Sequence, residues 1–204
     1  MALFITFEGG EGSGKSTQIA SLNKKLKNNT IPVILTREPG GTPLSEYIRN
    51  LLKWTDAYIS PETELLMFNA SRAQLLTEVI KPNLKSEKIV ICDRNADSTT
   101  AYQGYGRGLD LEMVKTINNT TTHGLKPDLT ILLDISPEEG FQRIKGRVKD
   151  HFEKEDRTFH QRVRQGYLQL ATEEPQRWLV IDARLSKEKI KQIIWEKVSS
   201  LLSK

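Results

Sequence analysis

Short apolar runs alternate with amphipathic stretches along the whole chain. The runs Leu3–Glu8, Pro32–Arg37, Lys88–Asp93, Leu129–Asp134 and Trp178–Asp182 are rich in Val, Ile and Leu at nearly every position. That is the pattern of strands covered on both faces of a parallel sheet. After the first run, Ile19, Leu22 and Leu26 recur at helical spacing as far as Asn28-Asn29. Ser60-Pro61 offers a cap followed by proline at the first helical position, and Ser136-Pro137-Glu138-Glu139 reads as a capping box. The last stretch, from about Ser186, carries Ile190, Ile193, Ile194, Val198, Leu201 and Leu202 on one stripe, which predicts core packing. No repeat, low-complexity tract or linker interrupts the alternation. It predicts one doubly wound α/β domain over residues 1–204, with helices on both faces of a five-stranded parallel sheet. In such a sheet ligands gather at the carboxyl ends of the strands.

The first strand end carries the most chemistry. Gly9-Gly10-Glu11-Gly12-Ser13-Gly14-Lys15-Ser16 fits G-x-x-x-x-G-K-[ST], between a predicted strand and a predicted helix that continues through Thr17. This is the phosphate loop of the P-loop NTPase fold, in which backbone N–H groups and a helix N-terminus face phosphate oxygens. Glycine is needed where a Cβ would block the phosphate and where the loop takes positive φ. Lys15 would reach the β- and γ-phosphates, and the Ser16 hydroxyl would ligate Mg²⁺. A nucleoside triphosphate is the expected ligand.

Composition removes other classes. The 30 Lys and Arg against 26 Asp and Glu leave only +4, without a basic run interleaved with aromatics, so no nucleic-acid partner is expected. Cys92 is the one cysteine, which excludes an intrachain disulfide and reads as an inert core thiol. His123, His151 and His160 lack metal-site spacing. No apolar stretch approaches membrane-spanning length and no basic n-region precedes the first strand, so the cytoplasm is expected and no membrane.

Arginines mark the other strand ends. Strand two runs into Thr36-Arg37-Glu38-Pro39-Gly40-Gly41-Thr42-Pro43, strand three into Asp93-Arg94 and strand five into Asp182-Ala183-Arg184, while Arg49 and Arg72 lie on the helices after strand two. Arginine suits bidentate phosphate contact. The guanine motif and switch of a GTPase are absent, and Asp93 is followed by Arg94 rather than by a glutamate that would polarise water. Transfer to a second phosphate fits better than hydrolysis. A nucleoside monophosphate has a second phosphate pKa near 6, so its oxygen is already a nucleophile at pH 7 and needs no general base. Catalysis is then positioning plus neutralisation of charge on the transferred group.

Phe7-Glu8-Gly9…Gly14-Lys15-Ser16, Thr36-Arg37-Glu38-Pro39-Gly40-Gly41-Thr42, Phe68-x-x-x-Arg72, Asp93-Arg94, Asp97-Ser98…Ala101-Tyr102-Gln103-Gly104 and Phe159-His160…Gly166-Tyr167-Leu168 together resemble the bacterial-type thymidylate kinase family over essentially the whole chain. The resemblance implies transfer from ATP to dTMP with Mg²⁺, a mobile lid over about residues 143–157, and a homodimer. Arg49 and Arg94 would hold the dTMP phosphate, with Arg37 near it, and Glu38 would contribute to the dTMP site. Phe68 would stack on thymine, Arg72 would donate to its 4-oxygen, and Ser98, Thr99 and Gln103 would lie in the acceptor site, the last two near ring N3. Tyr102 would crowd the sugar 2′ position, Glu11 would approach the 3′-hydroxyl, and Asp93 would act with Ser16 around the metal.

The lid departs from that pattern. Where similar chains have Asp-Arg-x-Glu, this one reads Asp150-His151-Phe152-Glu153. The expected catalytic cation is therefore Arg147 (or Lys149) or His151, beside Lys15 and Arg94, with Arg143 stacking on adenine. Asn95 stands where an aromatic residue is usual. The apolar positions Leu65, Leu66, Ala70, Ala73, Leu76, Val79 and Ile80 exceed what one helix face needs, and are read as a dimer contact or as monomer core. A kinase for another nucleoside monophosphate, or an ATP-dependent regulatory protein, are the competing functions.

Overall fold

In the computed structural model, which describes residues 2–146, 148 and 150–203, the predicted alternation closes into one sheet. The strands β1 (Leu3–Glu8), β2 (Val33–Arg37), β3 (Ile89–Asp93), β4 (Leu129–Asp134) and β5 (Trp178–Asp182) lie in the order β2-β3-β1-β4-β5. Every pairing is parallel, with Phe7 opposite Asp93 on one side and opposite Ile131 on the other. Three of the strands have the bounds read from the sequence; β2 and β3 begin one residue later, after Pro32 and Lys88.

The helices are α1 (Lys15–Asn28), α2 (Pro43–Trp54), α3 (Pro61–Leu75), α4 (Lys81–Lys85), α5 (Ala96–Thr99), α6 (Leu111–Thr122), α7 (Pro137–Arg143), α8 (Arg157–Glu173) and α9 (Lys187–Leu202). Alternate residues of β1 divide them between the faces. Leu3, Ile5 and Phe7 pack with Ile19, Leu22 and Leu26 of α1 and with Ile190, Ile194 and Val198 of α9. Phe4, on the other face, meets Leu75, Leu76 and Ile80. The rest of β1 on that face is polar, contrary to the expectation for buried strands, although Val90 and Cys92 of β3 and Leu132 of β4 remain apolar and buried beside it. Thr6 and Glu8 are fully buried there, and Thr6 Oγ1 lies 3.0 Å from Thr130 Oγ1 of β4. Arg177 donates to Thr130 at 2.6 Å and to Asp97 at 2.7 Å, so this polar layer is hydrogen-bonded throughout.

The caps expected at Ser60 and Ser136 form, each accepting from the backbone N–H three residues on, and Ser186 does the same at the start of α9. Glu139 differs in detail: its carboxylate accepts from the Ser136 hydroxyl at 2.9 Å. Two wide, π-helical turns follow α3 and α5, at Leu76–Ile80 and Thr100–Gly106. The first precedes Pro82, which has no N–H to give to the preceding turn. The second carries Tyr102 and Gln103. The Glu38-Pro39 peptide is cis.

Candidate active site

The strand order places the ends of β1, β3 and β2 side by side, and a cavity of about 800 Å³ opens over them. Its wall at β1 is the phosphate loop from Glu11 to Lys15, continued by Ser16 and Thr17, with Arg143 at the margin; Gly9 and Gly10 line a small void beneath. Gly9, Gly12 and Gly14 take φ of 134°, 68° and 93°, conformations that side chains resist. A Cβ on Gly12 would lie 2.0 Å from the Gly140 carbonyl oxygen, so the loop rests directly on α7. The Lys15 ammonium donates to the carbonyls of Gly9 at 2.8 Å and Gly10 at 3.0 Å. Burial, and then the nearby Arg94, push its pKa down to about 8.

The opposite wall holds Arg37, Glu38, Arg49, Phe68, Arg72, Asp93, Arg94, Ser98, Thr99, Tyr102 and Gln103, so the sequence-predicted acceptor residues share one cavity with the loop. Each cation there already has an internal acceptor. Arg37 meets Glu46 at 2.9 Å, Arg94 meets Glu11 at 2.9 Å, and Arg49 donates to the Pro39 carbonyl at 2.8 Å. Arg184 takes no part: it pairs with Asp182 at 2.8 Å and does not line the cavity.

Arg94 is held at φ 71°, a strained conformation for a non-glycine residue, by a set of groups behind it. It donates to Ser98 Oγ at 3.2 Å and Tyr167 OH at 3.0 Å, and its guanidinium lies 5.1 Å from the Tyr102 ring. Ser98 and Tyr167 in turn donate to Glu8 Oε2, at 2.5 and 2.9 Å. Asn95 gives its backbone N–H to the other Glu8 oxygen and its amide to Glu38 at 2.7 Å. In place of an aromatic, it cross-links two buried carboxylates. Burial, and then Asp97, raise the Glu8 pKa to about 7 against the opposing pull of Arg94.

Arg72 is 1 % exposed and its hydrogens are engaged. Nε and Nη2 reach Glu38 at 2.8 Å, Nη2 also Thr99 at 2.6 Å, and Nη1 reaches Asn69 at 3.1 Å and Asn118 at 2.9 Å. Those contacts match the donor capacity of a guanidinium. A base oxygen here has to displace one of them. Gln103, expected beside the ring, donates to Glu64 at 2.6 Å.

The carboxyl end of the expected lid is a packed turn. Asp150 and Glu153 exchange backbone bonds at 3.2 and 3.0 Å, a capping box around Phe152–Lys154. Phe152 lies 5.6 Å from Phe68 and 6.1 Å from Tyr102, forming one aromatic wall. His151 does not line the cavity; its Nε2 is 3.9 Å from Glu64. Arg147 and Lys149 lie outside the described residues. Asp93 Oδ1 is buried without a partner at the end of β3, while Ser16 is exposed at the start of α1. A bare carboxylate oxygen and an exposed hydroxyl beside the phosphate loop suit a hard cation.

Sequence reasoning missed Lys53, Asp150, Phe152 and Glu153 as cavity residues, and Glu8 and Tyr167 behind it. The lid residues were legible as a D-x-x-E box, whereas the partners of Glu8 are far apart in the chain.

The thymidylate kinase family model matches residues 7–194. A thymidylate kinase of Dehalococcoides mccartyi is 52 % identical over 203 residues, covering 99 % of this chain and 98 % of the relative. That of Halothermothrix orenii is 50 % identical, with 99 % of each chain covered. A crystal structure of thymidylate kinase from Ehrlichia chaffeensis superposes with a TM-score of 0.76 at 37 % identity, covering 98 % of both chains. With a phosphate loop facing an arginine-lined wall, and likeness along nearly its whole length, the chain belongs to the thymidylate kinase family.

Proposed function

We propose that this protein transfers the γ-phosphoryl group of ATP to dTMP, giving ADP and dTDP. The observation that carries this reading is the shared cavity: the phosphate loop forms one wall, and Arg37, Arg49, Arg94 and Phe68 form the other. Lys15 and the loop amides would grip the donor phosphates. Arg49 and Arg94 would fix the acceptor phosphate in line, displacing the internal acceptors they now hold. Phe68 and Phe152 would cover the thymine ring, and Glu38, Arg72, Thr99 and Gln103 would form its polar edge. Tyr102 beside Arg94 would close the sugar pocket. Ser16 and Asp93 would hold Mg²⁺, which when bound offsets charge on the β- and γ-phosphates. With these substrates, the cytoplasm is the proposed compartment; among the described residues no helix is long and apolar enough to cross a membrane.

The reading includes a homodimer through α2. Leu44, Tyr47, Leu51 and Trp54 form a solvent-facing stripe, each more than half exposed, and Leu66 and Ala70 of α3, the helix packed on α2, are exposed as well. A contiguous exposed apolar patch of this kind marks an interaction surface. The stretch read as a dimer contact from sequence supplies only part of it, since Leu65, Leu76 and Ile80 are buried in the protomer itself.

A coupled assay of dTMP, dUMP, dCMP and UMP, with ATP and Mg²⁺, tests the activity. Preferred phosphorylation of dTMP is expected, with little ATP turnover when no acceptor is present. Preference for UMP, or acceptor-independent hydrolysis, would overturn it.

A further inference from the structure

Lys53 lies one turn beyond Arg49 on α2, and both side chains line the cavity. Its ammonium sits 2.7 Å from Asp150 Oδ2, where the two side chains are 22 % and 8 % exposed. A bond that only pinned the lid turn to α2 would be redundant. The His151 N–H already donates to the Lys53 carbonyl at 3.2 Å, and Asp150 uses its other oxygen to cap Glu153. The remaining oxygen sets the carboxylate against a cation beside the acceptor arginines, and Asp150 acts on Arg49 as well. Glu11 on Arg94 and Glu46 on Arg37 stand in the same relation to their cations.

We infer that Lys53 is a further ligand of the acceptor's phosphate group, and that Asp150 occupies its ammonium until that phosphate arrives. A phosphate oxygen takes the place of Asp150 Oδ2 on the ammonium, while the turn stays joined to α2 through the His151 N–H bond to the Lys53 carbonyl. The inference rests on the acceptor reading above.

Calorimetric binding of dTMP and of thymidine, which lacks the phosphate, separates the possibilities in wild type, Lys53→Met, Lys53→Arg and Asp150→Asn. Lys53→Met should weaken dTMP by about tenfold or more, the scale of one charge-assisted contact, and leave thymidine nearly unchanged. Lys53→Arg should restore most of the dTMP affinity, and Asp150→Asn should bind dTMP more tightly than wild type. Equal loss of dTMP and thymidine in Lys53→Met, or no loss of either, overturns the inference. Unchanged or weaker dTMP binding by Asp150→Asn overturns the part given to Asp150. Wild type failing to bind dTMP would instead defeat the acceptor reading itself.

Discussion

The Glu8 carboxyl ties the site to pH. Ser98 Oγ, Tyr167 OH and Glu8 Oε2 form a triangle with sides of 2.5, 2.9 and 2.7 Å. Asp97, Arg94, Lys15, Cys92, Tyr102 and Tyr167 are ionisable groups around Glu8. Its folded pKa of about 7 exceeds the ordinary 4.5, so the folded state holds the carboxyl proton more tightly. The stabilisation is complete below the ordinary value and is lost as pH rises from there through about 7. Glu8→Gln, which imitates the neutral acid, should flatten the fall in unfolding free energy across that window, by up to roughly 3 kcal/mol. Denaturant titrations from pH 4 upward measure it, and an unaltered slope would refute it. Little of this environment was legible in sequence. Glu8 meets Tyr167 and Ser98 from distant segments, and Arg72 finds Glu38, Thr99 and Asn118 the same way. Side chains that touch only after the sheet closes leave no local spacing to read.

Elements were legible where the signal is local. Caps at Ser60 and Ser136 bond within one turn, and the strand bounds follow apolar runs. The stripe of α2 has ordinary helical spacing, but that spacing is the same whether a face meets the core or a partner, so its exposure could not be read. Contact between the phosphate loop and α7 had no signature either. A Cβ on Gly140 would lie 2.2 Å from the Glu11 carbonyl oxygen, against backbone that cannot turn aside as a side chain would. Gly140→Ala should therefore raise the KM for ATP by about tenfold or more, on the usual cost of overpacking, while the affinity for dTMP changes little. Initial-rate kinetics with each substrate varied in turn decide this; equal effects on both would mean general loss of folding.

At the scale of the molecule, the fold was legible because strand ends and alternating elements leave few topologies for a parallel sheet. Assembly was legible only as two alternatives. Leu65, Leu76 and Ile80 proved to be core, and the exposed surface lies mainly on the neighbouring helix. Replacing Tyr47 and Trp54 by glutamate should convert a dimer to a monomer in sedimentation-velocity experiments, since charge on an apolar interface is costly to desolvate. A wild-type monomer at micromolar concentration would refute the α2 contact.

The carboxylates already seated on Arg37, Lys53 and Arg94 bear on selectivity against ordinary salt. A chloride ion can replace one of them and leaves the others in place, so it gains little over the counter-ion it evicts. A phosphate monoester presents several oxygens on one centre and can displace more than one carboxylate in a single event. Discrimination then comes from how many internal partners an anion replaces together, more than from attraction at a distance.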